Sequence, residues 1–216
     1  MSTNERTYRR ENVVFFRKTK EDFGGLSNMA AGFPIKINNV RIKSSEALYQ
    51  ALRFTEYPEI QSEIIAQNSP MTAKMKSKKY SEYSRNDWND IRVLIMRWCL
   101  RVKLIQNWES FGGILFETLG RDIVEESKKD KFWGAIPFED DTLVGVNALG
   151  RLLMELRDEM PNYLKSKELL PPKISNLKLF GNKIGCISFC ITEMPSLNDV
   201  EILQKKIENL TIFDIN

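Results

Sequence analysis

The segment "NDWNDIRVLIMRWCLRVKLIQNW", residues 86–108, is the longest helical pattern in the chain and the feature that most limits its fold. Its main apolar stripe repeats at helical spacing and consists of Trp88, Ile91, Ile95, Trp98, Val102 and Ile105. Other apolar residues extend this stripe almost all round the helix, whereas a surface helix is apolar on one side only. The pattern therefore predicts a central helix on which other elements pack.

Short strand patterns precede this helix. Residues 13–16, "VVFF", form a strand candidate, and "PIKINNVRI" alternates apolar and polar residues on both sides of Asn38-Asn39. A two-residue turn at the asparagines pairs Ile35 with Ile42, so that the apolar side chains share one face. The sequence thus predicts a hairpin with one buried face.

Four further segments have the features of helices: "SSEALYQALRF", "PEIQSEIIAQ", "SPMTAKMKSK" and "NALGRLLMELRDEM". Ser44 or Ser45 suits the N-cap of the first, and Ser69 that of the third. Pro58 suits the first helical position of the second, because proline has no N–H to leave unpaired there. The fourth is amphipathic through its leucines.

The C-terminal part contains "NLKLFGNKIGCISFCIT", which predicts a hairpin turning at Gly181-Asn182. A last helix is predicted for residues 197–210. Together the patterns predict an α+β fold that is mainly helical, with small β-hairpins near the N- and C-termini.

Composition shifts divide the chain into three parts. Residues 1–11 are polar and are expected to form a tail. Pro161 and the following "LLPPK" mark a boundary, so residues 12–160 are predicted to form the main domain. Residues 161–216 are predicted to form a C-terminal hairpin and helix extension that packs on it.

The chain has 216 residues and no histidine, which excludes Ser-His-Asp and Cys-His triads and H-E-x-x-H zinc sites. If the protein is an enzyme, Asp, Glu, Lys, Tyr or Cys must move its protons. No phosphate-binding glycine loop or calcium loop is present, so neither a metal nor a cofactor is expected. Three cysteines without C-x-x-C spacing favour a reducing, cytoplasmic location. The absence of a long apolar run predicts no membrane segment.

One polar stripe in the first predicted helix is unexpected for a core helix. Glu46, Gln50 and Arg53 follow one another at i, i+4 and i+7, opposite an apolar side. A glutamate in the first turn can simply complement the helix dipole, and the alternative is a functional face. If it is functional, the dipole and the polar stripe are expected to outweigh burial and to keep Glu46 ionised at neutral pH.

Three other places also combine polar groups with apolar surroundings. Ser27-Asn28 follows a glycine-rich loop and is either a turn or a binding loop. Lys103 has apolar helical neighbours, so its amine is either partly buried or reaches out to solvent. The segment "VEESKKDKFWGA" is either an acidic surface loop beside a core tryptophan or a ligand site, with Glu125, Asp130 and Trp133-Gly134 as candidates.

Carboxylates, a lysine and tryptophans without histidine suit the cleavage of a glycosidic bond. Such a reaction develops a glycosyl cation, which a carboxylate can stabilise while an acid protonates the departing base. Tryptophan rings stack on heterocycles. Modules that bind nucleotides without cleaving them use the same residue types, so both interpretations stay open.

Several motifs resemble, in matched order over residues 12–160, those of the NADAR family, also called YbiA-like. They are "DFGGLSNMAA", "PIKINNVRIKSSEALYQALRF", "SPMTAKMKSK", "DWNDIRVLIMRWCLRVKLIQN" and "IVEESKKDKFWGA…GVNALGRLLMELR". The resemblance implies a YbiA-like fold and N-glycosidase chemistry on ribosides in that domain. One branch of the family breaks down early phosphoribosyl intermediates of riboflavin synthesis. Another removes ADP-ribose from guanine bases in DNA and acts as antitoxin to a DarT-type ADP-ribosyltransferase.

The residues in these motifs resemble those of the branch that removes ADP-ribose from guanine bases in DNA. The riboflavin-related members resemble "SEHYFQAQKF" at the first helix, and this sequence has Ala47 at the position of their histidine. It also has Lys74 at a position where those members commonly carry arginine. The resemblance therefore implies an ADP-ribosyl-guanine glycohydrolase, with ADP-ribosylated DNA or nucleoside as substrate and a DarT-type toxin as functional partner. A riboflavin-related N-glycosidase and a non-catalytic ADP-ribose-binding module are the alternatives.

The resemblance also implies roles for individual residues. Glu46 is implied as the leading catalytic residue, Asp130 as a second one, and Lys103 as a phosphate ligand or as an amine that attacks the opened sugar. The residues implied to bind the ligand are Ser27, Asn28, Gln50, Arg53, Lys74, Trp88, Glu125, Trp133, Gly134 and Asn147.

Overall fold

The structure is a computed structural model that describes residues 4–165, 168–188 and 205. Its helices are α1 (Ser45–Ala51), α2 (Pro58–Ile65), α3 (Pro70–Lys79), α4 (Trp88–Gln106), α5 (Gly113–Phe116) and α6 (Ala148–Lys165). Its strands are β1 (Arg6–Arg9), β2 (Val13–Phe16), β3 (Ile35–Ile37), β4 (Val40–Ile42), β5 (Asp122–Glu125), β6 (Ile136–Phe138), β7 (Thr142–Gly145), β8 (Glu168–Leu169), β9 (Lys178–Leu179), β10 (Asn182–Lys183) and β11 (Ile187–Ser188). The predicted α+β class is confirmed, although helices take 43% of the described residues, less than "mainly helical" implies.

The described chain divides into two compact units. The first contains residues 4–27 and 112–165, and the second contains residues 28–111 and 168–188. The described part of the predicted C-terminal extension, residues 168–188, belongs to the same unit as α1 to α4. Gln61 of α2 shows why, since its side chain donates to the carbonyl of Lys178 at 3.0 Å.

The first unit contains a three-stranded antiparallel sheet, β1-β7-β6, and the parallel pair β2-β5. The predicted polar tail is partly wrong, because Arg6–Arg9 form β1 and pair with β7. Tyr8 pairs with Leu143 and is 5% exposed in the apolar core of this unit. A single apolar side chain among charged neighbours is thus enough to anchor an edge strand once a partner strand from a distant part of the chain covers it.

Helix α6 also belongs to the first unit and packs on β5. Its predicted apolar stripe is confirmed, because Leu149, Leu152, Leu153 and Leu156 are all buried. The predicted boundary at Pro161 falls inside this helix, since α6 continues to Lys165. Burial of the neighbouring residues on the last turns, such as Met160, compensates for the single backbone hydrogen bond that a proline removes.

In the second unit, α1 packs on α2, α3 and α4, and all seven of its residues are buried. The hairpin β3-β4 has the predicted register, with Ile35 opposite Ile42. The apolar stripe of α4 is buried from Ile95 onwards, whereas Trp88 and Ile91 in its first turns are only half-buried. The short helix α1 is therefore more completely enclosed than the long helix that was expected to be central.

The hairpin β9-β10 confirms a turn near the predicted place but one residue earlier. Phe180 and Gly181 are the two turn residues, with φ angles of 51° and 75°, and Asn182 is already paired with Leu179. Both central residues of this kind of tight turn need a positive φ, and the pairing decides which two supply it. The predicted helix at 197–210 lies outside the described residues, apart from Lys205. No helix in the part of the chain that the structure describes is long and apolar enough to cross a membrane.

Candidate active site

Glu46 is positioned by the start of α1. The side chain of Ser44 caps this helix by accepting a hydrogen bond from the N–H of Ala47 at 3.2 Å. Glu46 and Gln50 then lie one turn apart on the same side, and Gln50 Nε2 donates to Glu46 Oε1 at 2.8 Å. Both side chains are buried, with 4% and 5% of their residue surface exposed. Local helix geometry therefore supplies the first partner of the carboxylate.

Asn28 supplies the second partner from outside the helix. Its Nδ2 donates to Glu46 Oε2 at 2.5 Å, so each carboxylate oxygen accepts from one amide. We call Asn28, Glu46 and Gln50 the amide cradle. The side-chain oxygen of Asn28 is buried without a hydrogen-bond partner in the protein. One polar atom of the cradle thus remains open to a hydrogen-bond donor.

Ser77 on α3 holds the amide of Gln50 in place, and the sequence did not predict it. Its hydroxyl donates to Gln50 Oε1 at 2.7 Å, and Arg53 NH1 adds a longer contact of 3.4 Å to the same oxygen. An oxygen that faces these donors leaves the amide nitrogen facing Glu46. A serine on the buried face of α3, at helical spacing from Pro70 and Ala73, was the available signal.

Arg53 connects the cradle to an aromatic pair. Its guanidinium donates to Ser84 Oγ at 3.0 Å and lies 5.3 Å from the ring centroid of Trp88. The ring of Tyr49, which was not among the predicted residues, lies 5.0 Å from the same tryptophan ring. A cation over the face of an indole is a favourable arrangement. Trp88 and Arg53 are therefore neighbours, as expected for residues of one site.

Burial controls the protonation of Glu46. Removal from water raises the pKa of this carboxyl above its ordinary value, although hydrogen bonds from Gln50 and Asn28 and the charges of Lys74 and Arg53 act in the opposite direction. The expectation that the dipole and the polar stripe would outweigh burial is therefore wrong in direction. Lys74 itself is exposed, and its positive charge lowers the pKa of Glu46.

Lys103 lies in a different environment in the second unit. It has no exposed surface, and its Nζ lies 4.1 Å from the ring centroid of Phe111 and 4.4 Å from that of Phe33. We call these three residues the aromatic box. Burial lowers the pKa of the amine well below its ordinary value. The predicted reaction of this amine with a sugar stays a prediction.

The remaining predicted residues belong to the first unit, where two of them organise a turn. Asp130 is exposed, and its Oδ1 accepts hydrogen bonds from the backbone N–H groups of Phe132 and Trp133, both at 2.9 Å. Trp133 is half-buried and meets Phe132 edge to face at 5.1 Å. In this arrangement the carboxylate of Asp130 holds the backbone before Trp133, and its catalytic role stays a prediction.

Asn147 and Gly134 both contact the backbone of β5. Asn147 has no exposed surface, its Nδ2 donates to the carbonyl of Ile123 at 2.8 Å, and its Oδ1 accepts from the N–H of Glu125 at 3.1 Å. Its side chain thus holds the backbone of β5, and its role in ligand binding stays a prediction. Gly134 packs against the carbonyl of Glu125 so closely that a Cβ would not fit, which makes backbone packing the reason for this glycine.

Glu125 and Ser27 keep their predicted roles as predictions. The backbone of Glu125 is fixed at the end of β5 by Asn147, and its side chain is half-buried. Ser27 is 5% exposed, and its N–H donates to the carbonyl of Gly24 at 3.2 Å. Among the described residues there is no group of three or more Cys, Asp and Glu side chains that could hold a metal ion.

Comparison with known proteins agrees with the fold and the motifs. The NADAR domain family matches residues 14–161. The N-glycosidase YbiA of Escherichia coli K12 is 33% identical over 150 residues, which cover 69% of this chain and 89% of that protein. A riboflavin biosynthesis protein of Vibrio vulnificus is 32% identical over 155 residues, covering 71% of this chain and 40% of that protein.

A solved structure agrees as well. The NMR structure of Escherichia coli YbiA has a TM-score of 0.59 and 30% sequence identity, and the match covers 72% of this chain and 89% of that one. The fold is therefore the YbiA-like one, and the chain belongs to the NADAR family.

Proposed function

We propose that this protein is an N-glycosidase that removes ADP-ribose from guanine bases in DNA and serves as the antitoxin to a DarT-type ADP-ribosyltransferase. The amide cradle is the observation that carries the proposal. The carboxylate of Glu46 is buried and accepts hydrogen bonds from Asn28 and Gln50, which fix its orientation in a place from which water is excluded. Relatives that are named N-glycosidases support the same bond type.

Glu46 performs the central step in this proposal. The bond between C1 of the ribosyl group and the nitrogen of the base breaks, its electron pair stays on that nitrogen, and C1 becomes cationic. Glu46 stabilises this cation and takes a proton from the water whose oxygen bonds to C1; a proton then returns to the nitrogen of the departing base. A carboxyl whose pKa is raised by burial is a more effective proton carrier near neutral pH than an exposed one.

The other predicted residues complete the proposal. Arg53 and Lys74 supply positive charge to the phosphates of the ligand, and Trp88 offers a ring to one of its flat parts. Roles of Trp133, Ser27 and Glu125 in ligand binding stay predictions. Lys103 is the alternative reactive group, because a neutral amine can attack C1 of an opened sugar and form an imine.

Two residues favour DNA as the source of the substrate. Ala47 is 2% exposed, so the place where riboflavin-related members carry histidine is filled by packed neighbours. Lys74 replaces the arginine of those members on an exposed helix. The second candidate, an N-glycosidase acting on riboflavin intermediates, is supported by relatives from Vibrio vulnificus and Zea mays named as riboflavin biosynthesis proteins.

The test compares Glu46→Gln with the parent on ADP-ribosylated DNA and on the riboflavin intermediates. Asn28 can turn its unpaired oxygen toward the new amide, so the shape of the cradle is kept. We expect single-turnover release of ADP-ribose to fall at least about a hundredfold, while ligand binding stays within a few-fold of the parent. The matched control is Glu59→Gln, which changes an exposed glutamate of α2.

The outcomes separate the three candidates. Cleavage of the riboflavin intermediates alone would favour the second candidate. Tight binding of ADP-ribose without turnover of either substrate by the parent would identify a non-catalytic module. A Glu46→Gln variant that cleaves within a few-fold of the parent would remove Glu46 from the mechanism and direct attention to Lys103 and Asp130.

A further inference from the structure

Helix α3 has an exposed face of which the catalytic proposal uses only Lys74. Its inner face is buried through Pro70, Ala73 and Ser77. Its outer face carries exposed residues that are either basic or apolar: Lys74, Lys78, Lys79, Met71 and Met75. Met71 and Met75 are 57% and 59% exposed, which is unusual for side chains of this type. Such a surface suits a partner that is negatively charged and partly apolar.

Three tyrosines continue this surface beyond the end of α3. Tyr80 is the C-cap residue of the helix, and its ring lies 6.4 Å from that of Tyr83, which is 43% exposed. Tyr83 in turn meets Tyr57 edge to face at 5.3 Å. Exposed aromatic rings beside lysines are the combination that proteins use to stack bases and hold phosphates of single-stranded nucleic acids.

A cavity of about 340 Å³ lies at these tyrosines, and Tyr57, Tyr83 and Arg53 are among the residues that line it. This volume is near the lower limit of sites for small ligands. Arg53 also donates to Gln50, so the cavity shares a residue with the network around the amide cradle. Arg53 therefore links the cavity to the network that orients Gln50 toward Glu46.

The charges around the cavity decide what it can hold. Glu56, Glu82 and Asp87 line it together with Arg85, whose guanidinium is already paired with Asp87 at 2.6 and 3.0 Å. Three carboxylates disfavour a phosphate at this place. An uncharged planar ring with both donors and acceptors can meet the carboxylates, the arginines and the tyrosine faces together, which describes a nucleobase.

We propose that the exposed face of α3 and this cavity form a track for the single-stranded nucleic acid that carries the modified base. Lys78 and Lys79 bind its phosphates, and an unmodified base next to the modified one stacks on Tyr83 in the cavity. The inference rests on the proposed function in one respect, namely that the modified nucleotide occupies the cradle. It adds that the preferred substrate is a strand rather than a free nucleoside.

The experiment compares one ADP-ribosylated guanine nucleoside with a single-stranded DNA oligonucleotide that contains the same modified nucleoside. The variants are Lys78→Glu/Lys79→Glu and Tyr83→Leu. The charge control is Lys36→Glu/Lys183→Glu, which reverses two exposed lysines of the same unit, and Tyr83→Phe is the conservative rescue. Melting temperature is measured for each variant.

We expect all variants to cleave the nucleoside within about twofold of the parent. The Lys78→Glu/Lys79→Glu variant should bind the oligonucleotide at least about tenfold more weakly, with a salt slope reduced by about 1.4 for two lost phosphate contacts. Tyr83→Leu should bind it at least about fivefold more weakly with the parent's salt slope, and Tyr83→Phe should bind it as the parent does.

Several results would overturn the track. Equal losses in the control and in the Lys78→Glu/Lys79→Glu variant would show nonspecific attraction, and an unchanged oligonucleotide affinity in that variant would contradict it directly. Stronger binding to phosphatidylglycerol vesicles than to the oligonucleotide would assign the face to lipid. If the parent cleaves neither substrate, the proposed function fails. The affinity for an unmodified oligonucleotide and the salt dependence of that affinity then still test the track.

Discussion

The amide cradle and the aromatic box of the second unit surround a titratable side chain in different ways. Each encloses one titratable side chain almost completely, Glu46 in the first case and Lys103 in the second. The carboxylate accepts two amide hydrogen bonds, whereas the amine lies over the faces of Phe33 and Phe111. The kind of partner differs although the degree of burial is the same.

Burial moves both groups toward their uncharged forms. It raises the pKa of Glu46 and lowers the pKa of Lys103, because removal from water disfavours either charge. The carboxyl of Glu46 therefore releases its proton at a higher pH than an exposed glutamate, and the amine of Lys103 releases its proton at a lower pH than an exposed lysine. At Glu46 the hydrogen bonds from Gln50 and Asn28 and the charges of Lys74 and Arg53 reduce this effect of burial.

The largest expected effect comes from Lys103→Met, which keeps the length of the side chain without its charge. Below the lowered pKa of Lys103 the folded parent contains a buried ammonium, which is destabilising. The variant should therefore have a higher free energy of unfolding at neutral pH. The parent's stability rises with pH between the folded pKa and the ordinary lysine value near 10.4, because only the unfolded chain binds the proton there. The advantage of the variant should therefore shrink as pH rises through this window.

Urea unfolding of both proteins at several pH values measures this difference. Lys183→Met, at an exposed lysine of the same unit, is the matched control and should follow the parent at every pH. A constant difference between Lys103→Met and the parent would mean that the amine in the aromatic box does not titrate in this window.

Glu46→Gln should change the free energy of unfolding less than Lys103→Met does. Its difference from the parent should change with pH in the opposite direction. Because the folded pKa of Glu46 is raised, the folded state binds a proton that the unfolded state has released, and stability falls as pH rises above the ordinary glutamate value near 4.3. The variant lacks this loss, so its free energy of unfolding should gain on the parent's as pH rises, by at most about 1.4 kcal/mol per pH unit.

The same urea series, begun at pH 4, checks this sign. Glu59→Gln should show no such gain. A variant that loses stability relative to the parent as pH rises would mean that the cradle's hydrogen bonds and positive charges outweigh burial after all.

Ser77→Ala should have the smallest effect on stability, about 1 kcal/mol for one hydrogen bond. Its loss leaves Gln50 Oε1 with only the 3.4 Å contact to Arg53, so the amide is held less firmly toward Glu46. The hydrogen bond from Gln50 lowers the pKa of Glu46, and the acid-side midpoint of the pH–rate profile should therefore shift upward in the variant. Ser62→Ala on α2 is the control, and an unchanged midpoint would show that Ser77 only packs.

Elements with a strong local pattern were predicted correctly. The caps at Ser44 and Ser69 are present, the hairpin β3-β4 has its expected register, and the leucine face of α6 is buried. Each depends on residues within a few positions of one another, where side-chain spacing and backbone hydrogen bonding are decided locally.

Predictions failed where a distant segment decides the outcome. Residues 1–11 looked like a tail because Arg6–Arg9 is polar, but β7 lies more than 130 residues away in sequence and converts it into a strand. The contact of the Asn147 amide with the backbone of β5, 22 and 24 residues earlier, was not predicted either. A polar side chain gives no sign in the sequence of which backbone it will meet.

The sequence by itself determined that a serine cap and the spacing of a single helical turn bring Glu46 and Gln50 together. Only the tertiary structure decided that Asn28 and Ser77 complete the surroundings, since they lie 18 and 27 residues from their partners. It also decided the direction of the pKa of Glu46, which the sequence left to a balance between dipole and burial. Desolvation depends on every segment that covers a side chain, and helical spacing describes only the segment to which that side chain belongs.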